Sequence, residues 1–123
     1  MTVVNATCRM CTPMYTHNNK TYIELELTDK VLELVTSTHD DTAYKLRSAR
    51  IQNPLRGNIL KIKVPTRNGQ ILCAMTGDKS LRAIQAGEMV DVSMAFCGAW
   101  NYGDFCGWAW KLTRSCLSTI DYR

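Results

Sequence analysis

A chain of 123 residues, 46% apolar and 21% charged, suits one domain with one core and is too apolar for a disordered polymer. No apolar run approaches the roughly 18–20 residues that cross a bilayer. The formal charge of +4 is unevenly placed: residues 1–41 sum to −3, whereas the acid-free stretch 42–77 carries Lys45, Arg47, Arg50, Arg56, Lys61, Lys63 and Arg67. Such asymmetry points to a polyanionic partner, nucleic acid being the commonest.

The first residues, "MTVVNATCRMCTPMY", lack the basic start and apolar stretch of a signal peptide. With six cysteines and no secretory signal, the expectation is an intracellular protein with reduced thiols, in cytoplasm or, for a viral protein, the host cytoplasm or nucleus. Residues 1–19 show no clear periodicity and read as an irregular N-terminal arm of a single domain, 1–123. Next, "KTYIELEL" alternates as a strand, with Ile23, Leu25 and Leu27 on the core face. "KVLELVTST" is rich in Val, Leu and Thr and reads as a second strand after a Thr28-Asp29 turn, with Asp40-Asp41 in an acidic loop. "TAYKLRSARIQ" fits either a strand or a short helix.

Around Asn68-Gly69, "GNILKIKVPTRNGQILCAMTG" predicts a hairpin, because Asn-Gly supplies the positive φ of a type I′ turn. It places Leu60, Ile62 and Val64 inside, Lys61 and Lys63 outside and Arg67 near the turn. "DKSLRAIQAG" predicts a helix of about two turns, capped by Asp78, burying Leu81 and Ile84 and ending at Gly87. "EMVDVSMAF" alternates, Val90, Val92, Met94 and Phe96 inward and Met89, Asp91, Ser93 and Ala95 outward. "GAWNYGD" reads as the connection. "FCGWAWKLTRSCL" returns with Trp108, Trp110 and Leu112 in the core. These elements predict a mainly β fold, a small OB-like β-barrel with one short helix.

Catalytic patterns are absent from the sequence. It holds two histidines, no nucleophile–histidine spacing and no phosphate-binding glycine loop, so the expected protein is not an enzyme and needs no cofactor. Single-stranded nucleic-acid binders instead combine a basic groove with aromatic rings that stack on bases. Both parts occur here: Arg47, Arg50, Lys61, Lys63 and Arg67 for phosphate, and Tyr44, Trp100 and Tyr102 for bases.

The stretch from Ala86 to Leu117, through Gly87, Val90, Val92, Trp100, Phe105, Gly107, Trp110, Lys111 and Leu112, resembles the closing strands of OB-fold single-stranded DNA-binding proteins of phages and large DNA viruses. That resemblance implies coating of single-stranded DNA during replication or recombination, without catalysis. Two other readings stay open from the residues alone. One is a viral or phage interaction protein that binds a host or viral protein through "AWNYGDF", or a homo-oligomer through a strand edge. The other is a zinc module built on Cys8 and Cys11 with His17.

Overall fold

The computed structural model describes residues 2–77 and 79–117. Twelve elements follow in chain order: β1 (Val3–Met10), β2 (Tyr15–His17), β3 (Lys20–Glu26), α1 (Asp29–Thr42), β4 (Arg50–Gln52), β5 (Leu55–Arg56), β6 (Ile59–Val64), β7 (Thr66–Arg67), β8 (Gln70–Ile71), β9 (Ala74–Gly77), β10 (Met89–Tyr102) and β11 (Phe105–Leu117). Five strands close a ring. β1 pairs with β10, β10 with β11, β11 with β6, β6 with β3, and β3 with β1. Only the β11–β6 seam is parallel, through Lys111 and Lys63. This closed, non-sequential ring gives the domain the mainly β, barrel-like fold expected.

Alternation along the ring strands builds the core, because successive side chains point to opposite faces. Ile23 and Leu25 of β3, Leu60 and Ile62 of β6, and Met94 and Leu112 of the long hairpin are all buried. Trp110 is 2% exposed and lies among them. Ser93 and Ala95, expected to face outward, are buried as well. The Ser93 hydroxyl donates to Asn5 Oδ1 and accepts from Arg114 Nε. Ala95, flanked in register by Val3 and Lys111, is small enough to be covered by them.

Four expectations are corrected. The arm is not irregular: residues 3–10 form β1, a ring strand paired with β10 along Val3–Arg9. Asn18 and Asn19, at φ 52° and 65°, make the tight turn joining β2 to β3. The expected strand "KVLELVTST" lies in α1, where Val31, Val35 and His39, four residues apart, form the buried stripe. A strand would have placed Glu33 on that same face. Asp40 and Asp41 are therefore helical, and Thr28 occupies the extended N-cap position.

The two-turn helix after Asn68-Gly69 is a single 3₁₀ turn, Leu81–Ala83. Leu81 and Ile84 are buried as expected, and Gly87 turns the chain at φ 90°. The Asp78 cap falls outside the described residues. Finally, the Asn68-Gly69 turn exists, with both φ angles positive, but it joins only β7 and β8 in a separate ribbon. β6 cannot take the returning strand, because β3 holds one edge and β5 and β11 hold the other. Pro65, which has no N–H to donate, stands between β6 and β7.

Candidate nucleic-acid interface

Helix α1 leads through one 3₁₀ turn, Ala43–Lys45, to the tip of the β10–β11 hairpin. Asn101 fastens it there. Its Oδ1 accepts the Arg47 N–H at 2.8 Å, and its Nδ2 donates to the Lys45 carbonyl at 3.0 Å. The Ser48 hydroxyl donates to the Asp104 carbonyl, and the Cys106 thiol to the Ser48 carbonyl. β4 then runs parallel to β11, with Arg50 opposite Phe105 and Gln52 opposite Gly107. This approach requires glycine at 107: a Cβ there would collide with the Gln52 carbonyl oxygen and sit 3.0 Å from Trp100 Cζ2.

The tip therefore gathers Tyr44, Arg47, Arg50 and Tyr102, four of the eight residues expected to bind. Tyr44 is 80% exposed and Tyr102 82%. Two further members, Lys45 and Phe105, stand outside those eight. Lys45 Nζ lies 5.7 Å from the Tyr44 ring centroid, and the Arg50 guanidinium lies 5.7 Å from that of Phe105. Their signal was present in the sequence: Lys45 adjoins Tyr44, and Phe105 follows the Gly103-Asp104 turn.

Trp100 is not in the connection. β10 runs on to Tyr102, and the turn contains only Gly103 and Asp104, with Gly103 at φ 58°. Trp100 pairs in register with Gly107 and is half-buried, its benzo edge near the bare glycine. Alternation from Phe105 puts Phe105, Gly107, Ala109 and Lys111 on one face of β11, with Tyr102, Trp100 and Gly98 beside them on β10. Six residues of strand span roughly 20 Å from the aromatic tip to Lys111.

At the far end of this band Lys111 meets Lys63 in register, and Lys63 meets Tyr22. Lys61 Nζ sits 4.8 Å from the Tyr22 ring centroid. Lys61 and Lys63 are exposed while their strand neighbours Leu60, Ile62 and Val64 are buried. Tyr15 lies against Tyr22, ring centroids 5.9 Å apart, and donates its hydroxyl to Glu24 at 2.5 Å. Burial, followed by that bond to the carboxylate, drives the Tyr15 pKa upward, so Tyr15 stays protonated at neutral pH. Arg67 is exposed on the separate β7–β8 ribbon and does not join the β6 lysines through any contact among the described residues.

The inner face of the same hairpin is structural. Trp110 Nε1 donates to His39 Nε2 at 3.0 Å, and Trp108 Nε1 to Thr42 Oγ1 at 3.0 Å. The residues suggested for zinc are not assembled. Cys8 is buried in the core, with its thiol pKa pushed up to about 11 by burial and then by Asp91 and Cys11. His17 is exposed beside the β2–β3 turn. Among the described residues no group of three or more His, Cys, Asp or Glu is placed to hold a metal ion. No helix among them is long and apolar enough to cross a membrane.

Fold and surface together define a mainly β, barrel-like domain that presents two exposed tyrosines and neighbouring cations at one hairpin tip. Comparison with protein-family models, curated proteins and solved structures yields no match.

Proposed function

We propose that this protein binds single-stranded nucleic acid, DNA being the expected form, without reading its sequence and without catalysis. The observation that carries this reading is the convergence of Tyr44, Arg47, Arg50, Tyr102 and Phe105 at one hairpin tip, from two segments far apart in the chain. Large aromatic rings left 80% exposed gain nothing from folding. They offer flat faces for bases, each worth about 1–3 kcal/mol by truncation. Cations beside them neutralise phosphate.

OB-folds bind oligonucleotides on the face of their second and third ring strands and on the loop joining the last two. In this barrel those parts are the β3–β6 face, with Tyr22, Lys61 and Lys63, and the β10–β11 tip. Between them Gly98 and Ala109 carry little side chain, while the Gln52 carbonyl and the Trp100 edge cover Gly107. Coating of single-stranded DNA, as in the phage and viral proteins whose closing strands these resemble, is the biological role this reading supports.

A titration of oligo(dT), followed by anisotropy of a label on the oligonucleotide, tests the proposal. Binding that weakens steeply with salt is expected, since each phosphate neutralised contributes about −0.7 to the slope of log K against log salt. Absence of binding at micromolar protein and low salt refutes it.

A further inference from the structure

Among the described residues, β1 is paired on one side only over most of its length. It faces β10 from Val3 to Arg9 but meets β3 only through Arg9 and Met10. The Phe96 N–H donates to the Thr2 carbonyl, which sets the phase of the antiparallel ladder. Hydrogen-bonded pairs alternate with non-bonded ones, so Val4, Ala6 and Cys8 turn their N–H and C=O toward β10. Val3, Asn5 and Thr7 turn theirs the other way. The Cys11 N–H donates to the Glu24 carbonyl, in phase with outward-turned groups at the odd positions. Among the described residues, nothing hydrogen-bonds to the backbone of Val3, Asn5 or Thr7 on that side.

Such an edge is a template for another strand, and proteins ordinarily blunt it with charge, proline or a bulge. None is present here: Thr2 to Cys8 contains no charged residue and no proline, and the β1–β10 register is unbroken. Val3, Asn5 and Thr7 are all exposed, Val3 by 54%.

We propose that this edge pairs antiparallel with the same edge of a second copy, forming a two-fold dimer whose sheets are continuous through β1. The edge is self-complementary. Centred on Asn5, the pairing sets Asn5 opposite Asn5 of the second copy and Val3 opposite its Thr7, a favourable pair of β-branched side chains. Arg9, the first charge, falls beyond the paired stretch, so no like charges meet across the axis. The inference is independent of nucleic-acid binding.

Sedimentation equilibrium of the full chain at micromolar concentration, without oligonucleotide, tests it. The wild type is expected at the mass of two chains. Asn5→Lys and Asn5→Glu each place like charges opposite one another and are expected at the mass of one chain. Their equimolar mixture restores the two-chain mass, because the charges then attract. Val3→Pro deletes an N–H that faces the open edge and none that faces β10; it weakens the dimer by about tenfold or more. This variant serves if the Asn5 substitutions, which also touch Ser93, perturb the fold. A one-chain mass for the wild type, dimers unaffected by these substitutions, or a mixture of folded charge variants that stays monomeric overturns the proposal.

Discussion

The indole N–H of Trp110 donates to Nε2 of His39 at 3.0 Å, and the Trp108 ring stacks on the same imidazole, centroids 4.3 Å apart and planes within 4°. An acceptor at Nε2 requires a neutral imidazole with its proton on Nδ1. Burial holds the His39 pKa down at about 4, against a partial upward pull from Asp40. The histidine thereby joins the end of α1 to the barrel and sets where the Tyr44 segment begins.

Protonation is unfavourable in this site, so the unfolded chain binds the proton first. The contribution of neutral His39 is fully present above the ordinary histidine pKa of 6.5. It is lost progressively as pH falls from 6.5 to about 4. The loss amounts to about 3 kcal/mol in order of magnitude. Urea unfolding at several pH values in this window should show it. His39→Phe should flatten that dependence while costing about 1–3 kcal/mol at neutral pH, because the Trp110 N–H loses its partner. An unchanged pH profile in the variant would assign the acid lability elsewhere.

Gly107→Ala should be disproportionately damaging for so small a change. The added methyl group meets the Gln52 carbonyl, which is backbone and cannot swing aside, and the edge of Trp100. A destabilisation of about 1–3 kcal/mol is expected, with faster amide exchange in β4 than in β3. Wild-type exchange rates in β4 would contradict this packing.

Much of the barrel was legible in sequence because it rests on local alternation. Leu60, Ile62 and Val64, and the run from Val90 to Phe96, announce their core faces without reference to any partner. Helix α1 was not legible: Val31, Val35, Thr36 and Thr38 carry strong strand preference, and only burial of every fourth residue reveals the helical period. The candidate site was half legible. Residue types marked Tyr44, Arg50 and Tyr102, but their meeting depends on the Asn101 bridge and the parallel β4–β11 pair. Neither leaves a local signature. Trp100 was misplaced because "NYGD" reads as a loop, whereas glycine at 103 lets two residues complete the turn.

Arg50 and Lys63 lie at opposite ends of the proposed band, so each should report a separate phosphate. Arg50→Gln and Lys63→Gln should each reduce the magnitude of the salt slope by about 0.7, and the double variant by about twice that. Equilibrium titrations at several salt concentrations measure this. A slope unaltered by Lys63→Gln would confine the interface to the hairpin tip.

The three tryptophans divide by role. Trp110 is held in the core and Trp108 is stacked on His39, whereas Trp100 lies on the band itself. Quenching of tryptophan emission by oligo(dT) should therefore come mainly from Trp100. Trp100→Phe should remove most of the quenching while leaving the pH-dependent unfolding linked to His39. Full quenching in that variant would mean that the ligand reaches a different ring.

The most direct measurement compares the wild type with the Tyr44→Ala, Tyr102→Ala double variant in oligonucleotide anisotropy titrations at fixed low salt. Both rings are about four-fifths exposed, so the variant should unfold at the wild-type urea midpoint. Its affinity should nonetheless fall by roughly 5- to 150-fold for each ring removed, corresponding to about 1–3 kcal/mol per stacked base. Equal affinity in the two proteins, with both folded, would contradict the assignment of the hairpin tip as the nucleic-acid interface.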